Sequence, residues 1–280
     1  MPRLERRGAP ALNYELDDFT DPWRDAPVLL LQHGNGRSAR FWYRWVPYLS
    51  RWYRVLRPDL RGLGNSSRDF DLAGTMTFDA LLEDTVALLD HVGARDVHFA
   101  GESMGGILGI ALAAHRPERL RTLTLVATPV SISDAMKQRY ARGHGSRVEA
   151  MRAMGIRDWV AATTRETRIP ADAEPALFDW YVDEFARGDA EVQMAMSALV
   201  NRADAGAMLP RVRCPVLGLY PQDGQITGGE EGRLREGLSS FELVHLPTRY
   251  HMIHLTHARQ CAERTLAFCA QHDGLAVSEP

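Results

Sequence analysis

The 280-residue chain has little cysteine, no surplus of charge and no long apolar run, and each shortage excludes something. Three cysteines, Cys214, Cys261 and Cys269, are an odd number without metal-ligand spacing. That pattern favours free thiols in a reducing cytoplasm, and nothing marks them as catalytic. No apolar stretch approaches the ~20 residues that span a bilayer. The arginines between Met1 and Leu12 are not followed by the apolar core of a secretory signal, so a cytoplasmic location is expected. Thirty-three Lys+Arg against 36 Asp+Glu leave a net charge of −3, too balanced to call for nucleic acid or an anionic membrane as partner. The positive charge is nearly all arginine, as genome composition can produce. Internal repeats and low-complexity linkers are also lacking.

What is present is ordinary for a globular protein: 45% hydrophobic and 25% charged residues, enough for one large α/β domain or two small ones. The informative stretch is Asp96 to Ile110, which passes from an apolar strand through a tight turn into a small-residue helix. Its turn reads Gly101-Glu102-Ser103-Met104-Gly105. A strand reversing sharply into a helix crowds its neighbours, and only residues without a Cβ fit beside the strained serine. Chance alone would supply about 0.1 such patterns in a chain of this size. The strand before and the buried helix after, Ile107 to Ala114, make it specific. The backbone N–H of Met104 then falls at a helix N-terminus, where unpaired donors and the positive dipole end can hold an oxyanion.

Around this stretch the chain alternates strands and helices. Leu12, Tyr14 and Leu16 mark a half-exposed strand, and Val28 to Gln32 a buried one running into the Gly-rich loop His33-Gly34-Asn35-Gly36-Arg37-Ser38. Phe41 to Leu49 is expected to be a helix. The strand Tyr53 to Pro58 ends in Asp59-Leu60-Arg61-Gly62-Leu63-Gly64-Asn65-Ser66, whose Asp and Arg are read as bracing the turn. Phe78 to Val92 has the spacing of an amphipathic helix. After the strand Leu120 to Ala127 the alternation stops, and from Ser131 to about Ala205 the pattern is helical. It resumes with the strand Val216 to Tyr220, a helix near Glu230 to Leu238, the strand Phe241 to Leu246 and a helix from Thr256 to about Ala270. Such alternation predicts an α/β fold: a mostly parallel, doubly wound sheet formed by residues 1–130 and 206–280, with an inserted helical cap at 131–205.

A serine hydroxyl needs a base to become a nucleophile, usually a histidine oriented by a carboxylate. Of the histidines at the carboxyl edge of the sheet, His33 is read as ordering its own loop. His251, on the loop after the last strand, is the candidate base. His254 and His257 lie near it at helical spacing and raise a zinc site as an alternative, without the accompanying carboxylate or cysteine pattern.

With these motifs in this order, the chain from about Leu12 to Ala270 resembles the α/β-hydrolase superfamily. His33-Gly34-Asn35-Gly36 is similar to its oxyanion loop, Gly101 to Gly106 to its nucleophile elbow, and the Pro-x-x-x-His-Met setting of His251 to that of its base. The resemblance implies that Asn35 and Met104 supply the oxyanion amides. Within the superfamily the cap and the Asp-x-Arg-Gly-x-Gly-x-Ser loop resemble bacterial carboxylesterases and enol-lactonases, and Ser103 argues against the dehalogenases and epoxide hydrolases, which carry aspartate at the elbow. One departure concerns the acid. The family's Gly-x-x-Asp pattern after the strand Val216 to Tyr220 is replaced by Pro221-Gln222-Asp223-Gly224, with Asp223 one residue early. Asp223 is the expected acid, Asp134 the first replacement, and Glu102 a weaker candidate because a residue beside the nucleophile is expected to point away from the base.

The expected function is a cofactor-independent, metal-free serine hydrolase of a small-molecule carboxylic ester or lactone, acting through Ser103, His251 and Asp223 and an acyl-enzyme. The alternatives are C–C bond hydrolysis or perhydrolysis on the same triad, or a ligand-binding protein with reduced turnover. Trp159 and Trp180 of the cap, among Phe178, Tyr181, Phe185, Met194 and Met196, are expected to line the substrate site. A homodimer is compatible with the sequence.

Overall fold

The computed structural model describes residues 2–224 and 228–277. Eight strands form one sheet: β1 (Arg3–Leu4), β2 (Leu12–Asp17), β3 (Val28–Gln32), β4 (Arg54–Pro58), β5 (Val97–Glu102), β6 (Leu120–Val126), β7 (Val216–Pro221) and β8 (Phe241–Leu246), in the order β1-β2-β4-β3-β5-β6-β7-β8. β2 runs antiparallel to its neighbours β1 and β4, and from β4 to β8 every pairing is parallel. The parallel strands β3 and β5 are buried along their whole length, as a strand covered by helices on both faces must be.

The helices of the first half are the short α1 (Val46–Leu49) and α2 (Leu72–Thr75), then α3 (Phe78–His91) and α4 (Met104–His115). A continuous helix over 41–49 does not form. A 3₁₀ turn at Ala39–Trp42 and the short α1 take its place, because Pro47 has no N–H to donate and its ring would crowd the preceding turn. By contrast α3 forms as its spacing dictates. Thr77 caps it through Ala80 N, and Leu81, Leu82, Leu88 and Leu89 are buried in the core.

Between β6 and β7 lie five α-helices, a 3₁₀ helix at Gly206–Arg211 and no strand longer than an isolated bridge among the described residues: the α-helices are α5 (Asp134–Ala141), α6 (Arg147–Met154), α7 (Ile156–Thr167), α8 (Pro175–Ala186) and α9 (Ala190–Val200). That bridge, Ser131 with Asp204, ties the ends of the insertion together at its base. The layer closes over the carboxyl edge of the sheet. Phe185 of α8 lies against Gly36, and Val192 of α9 against Gly62, so tightly that a Cβ at either glycine would overlap the side chain above it. The chain returns to the core through α10 (Gly228–Gly237), β8, α11 (Ile253–Thr256) and α12 (Ala258–Asp273). None of the described helices is long and apolar enough to cross a membrane. All three cysteines are unpaired thiols.

Candidate active site

Ser103 occupies the junction of β5 and α4 with φ 53° and ψ −119°, a conformation that costs a non-glycine residue on the order of 1–3 kcal/mol. Neighbouring bonds hold it there. Its N–H donates to Val126 O at 3.0 Å, and its carbonyl accepts from Gly106 N at 3.0 Å and Ile107 N at 3.2 Å. The flanking glycines are sterically required. A Cβ on Gly101 would overlap the backbone of Gly105, and a Cβ on Gly105 would overlap the carbonyls of Gln32 and His33. The turn thus seats α4 directly on the end of β3. The Ser103 side chain is half-buried and makes no hydrogen bond among the described residues.

The loop after β3 is ordered by His33. Its Nε2 accepts from Leu60 N at 3.0 Å, so Nδ1 carries the proton and donates to Gly34 O at 2.8 Å. Asn35 is buried, its Nδ2 donates to Ser197 of α9 at 3.0 Å, and its carbonyl accepts from Arg37 at 3.2 Å. The amides of Asn35 and Met104 have no acceptor among the described residues, and Met104 begins α4, where the first N–H groups have no intrahelical partner. Asp59 accepts from Ala39 N, Asn13 Nδ2 and Asn65 N at 2.7, 2.8 and 2.9 Å, and Arg61 grips Asp84 through two bonds of 2.7 Å. Both side chains brace the second loop.

His251 is buried on the loop after β8, and the carboxylate beside it is that of Glu102. Nε2 of His251 lies 3.1 Å from Glu102 Oε1, off the line of an ideal hydrogen bond, so that Oε1 has no well-aligned donor. Glu102 Oε2 accepts from Gly34 N at 3.1 Å and pairs with Arg37 Nη1 at 3.1 Å. Burial opposes the charge of Glu102, but Arg37 and then His251 outweigh it and hold the carboxyl at about 2. The imidazole of His251 is pushed below its ordinary value, first by burial and further by Arg37 and Arg168, with Glu102 opposing. At neutral pH the pair is a carboxylate beside a neutral imidazole.

The expected acid lies elsewhere. Asp223 is exposed at the start of the loop after β7, borders a surface cavity of about 330 Å³ with Arg139, Glu166 and Arg249, and makes no hydrogen bond or ion pair among the described residues. The one-residue shift against the Gly-x-x-Asp pattern leaves its side chain in solvent. Asp134 is exposed too, 3.1 Å from Lys137 on the surface of α5. Glu102, read as pointing away, is buried at the end of β5 and held between Arg37, Gly34 N and His251. A sequence signal existed: a glutamate ending a buried strand is almost never buried without a partner.

The two cap tryptophans part company. Trp159 of α7 is fully buried, donates from Nε1 to Tyr140 O at 2.9 Å, and lies under the guanidinium groups of Arg147 and Arg168. Trp180 of α8 is half-buried at the seam between cap and core, packed on Phe41 and Tyr43, and borders an outer cleft with Glu15, Arg40 and Arg57. It does not face Ser103 across that cleft. His254 is buried against Trp42, with burial first lowering it to about 3, and His257 contacts Thr256.

Residues 27–162 match the family model described as the alpha/beta hydrolase fold. The chain is 29% identical over 225 residues to 3-oxoadipate enol-lactonase 2 of Acinetobacter baylyi, covering 80% of this chain and 79% of that one. It superposes on a hydrolase from Pseudomonas aeruginosa with a TM-score of 0.82 and 27% identity, covering 96% and 97% of the two chains. The enol-lactonase of Burkholderia xenovorans matches with a TM-score of 0.81 and 25% identity over 96% of this chain and 100% of that one. Sheet order, elbow and kinship agree: the chain is a hydrolase with the α/β-hydrolase fold.

Proposed function

We propose that this is a serine hydrolase of carboxylic esters or lactones that works through an acyl-enzyme on Ser103. The observation that carries the reading is the strained conformation of Ser103, φ 53° and ψ −119°, a cost retained where it holds the Oγ out from the turn. His251 is the base, and Glu102 is the carboxylate that orients it. With Nε2 on Glu102, Nδ1 is the nitrogen left to take the serine proton.

In the first half-reaction Ser103 Oγ bonds to the substrate carbonyl carbon while its proton passes to His251. The oxygen that gains charge is met by the amides of Asn35 and Met104, with the N-terminal end of the α4 dipole behind the second. Collapse breaks the carbon–oxygen bond to the leaving alcohol, which departs with the proton held by His251. A water then gives its proton to His251, attacks the acyl carbon, and releases the acid and Ser103. In a lactone both products stay in one molecule. Throughout, the Glu102 carboxylate stabilises the imidazolium without taking the proton.

Hydrolysis of short p-nitrophenyl esters by the wild type and by Ser103→Ala tests this reading. Activity should fall by several orders of magnitude in the variant. Turnover that survives the substitution contradicts it.

A further inference from the structure

Three arginines are buried where the cap meets the site: Arg37, Arg147 and Arg168, exposed by only 4, 6 and 2%. Arg37 is accounted for, since it pairs with Glu102 and its Nη2 donates to Tyr181 Oη at 3.2 Å. The other two are not. Neither Arg147 nor Arg168 has a carboxylate within ion-pair distance among the described residues, and Nε of each is buried without an acceptor. Arg168 has only hydroxyl acceptors, Thr163 and Thr164 of α7. Arg147 rests on the rings of Tyr140 and Trp159 at 4.7 and 5.0 Å, and Arg168 lies over the same two rings at 5.2 and 5.3 Å.

Two like charges sharing one aromatic floor repel each other, and each has lost its hydration. An uncompensated buried ion costs several kcal/mol even after relaxation. Ring faces return only part of that cost to each cation. A pair of guanidinium groups so placed is satisfied by an anion between them, and planar guanidinium suits a carboxylate with two parallel bonds. The location fits the reaction centre. His251 N donates to Thr167 O at 2.9 Å and Met252 N to Arg168 O at 3.1 Å, so the loop carrying the base hangs from the backbone of the arginine itself. We propose that Arg147 and Arg168 bind a free carboxylate carried by the substrate, making the enzyme selective for anionic esters or lactones over neutral ones of the same size. The inference rests on the serine-hydrolase reading and narrows it.

The competing account is internal compensation by Tyr140. Burial opposes its anion, yet Arg168 and Arg147 outweigh burial and pull the phenol below its ordinary value. A tyrosinate there would cancel one charge. It would also absorb near 295 nm at neutral pH and vanish from the spectrum of Tyr140→Phe, which makes it observable.

The experiment compares kcat/KM for p-nitrophenyl hemiglutarate and p-nitrophenyl valerate, a near-isosteric pair differing in charge, with labelling of Ser103 by a neutral fluorophosphonate run beside it. The wild type should prefer the hemiglutarate at least tenfold, and Arg147→Met should lower that ratio at least tenfold. Arg147→Lys should recover part of it. Glutarate should raise the Tm of Ser103→Ala and leave that of Ser103→Ala/Arg147→Met unmoved. Arg147→Met alone should melt at or above the wild-type temperature, because it removes a buried charge and not a structural tie. A wild type that labels at Ser103 and turns over valerate without preferring the hemiglutarate overturns the inference and leaves the hydrolase reading standing. An Arg147→Met protein that loses Tm but keeps the preference, or a tyrosinate band that Tyr140→Phe abolishes, overturns it as well. Failure to label Ser103 at all overturns the hydrolase reading.

Discussion

Glu102 and His251 face each other at 3.1 Å, and Glu102 is the residue immediately before the serine. The carboxylate beside His251 is therefore built into the elbow. Its other oxygen holds Gly34 N and Arg37, so one side chain joins His251 to the loop after β3.

Glu102→Gln should lower the acylation rate of short esters by about 10³ to 10⁴, the scale reached when the wrong imidazole tautomer is imposed on a serine-hydrolase base. Asp223→Asn should stay within about threefold of wild type. Single-turnover acylation of both variants checks the pair, and the reverse ranking returns the role to Asp223.

A second prediction concerns pH. The acid limb of kcat/KM should lie below the ordinary histidine value of 6.5, because burial lowers His251. The charge of Arg168 lowers it further, so removing that charge raises the imidazole. Arg168→Gln should move the acid limb upward in a pH–rate profile, and an unmoved midpoint contradicts the electrostatic coupling.

Acid stability follows from Glu102. Its folded pKa is depressed to about 2 from 4.5, so the stability it contributes is present above 4.5 and lost as pH falls toward 2. Chemical denaturation between pH 5 and 2 should show the wild type losing more stability than Glu102→Gln over that window.

Gly105→Ala tests the packing of the elbow. The added methyl meets the Gln32 and His33 carbonyls, which belong to a central strand end and cannot yield cheaply. A stability loss of about 1–3 kcal/mol with loss of activity is expected. A variant with native Tm and full rate would show that the seat of α4 is looser than described.

Much of this fold was legible because its signals are local. Val28 to Gln32 is an apolar run closed by turn residues and is a strand at those limits, and the strand expected after Asp96 and before the elbow spans Val97–Glu102. The strained turn at Ser103 was legible for the same reason: glycines two residues to either side serve a requirement of the immediate backbone. The meeting of Glu102 with His251 was not, because it depends on how the loop after β8 packs against the end of β5, and no spacing rule carries that. The packing of Trp180 on Phe41 and Tyr43 was not legible either, since only docking decides which face of a helix meets the core. Arg147 and Arg168 gave no signal at all: an arginine in a polar helical stretch reads as surface until the helices pack around it.

The central claim is that Ser103 forms an acyl-enzyme, and the most direct measurement is intact-mass and peptide mapping after treatment with a fluorophosphonate. One adduct per chain, located on the peptide containing Ser103 and absent in His251→Ala over the same interval, is the predicted result. Stoichiometric modification of another residue, or equal labelling in His251→Ala, would contradict the account.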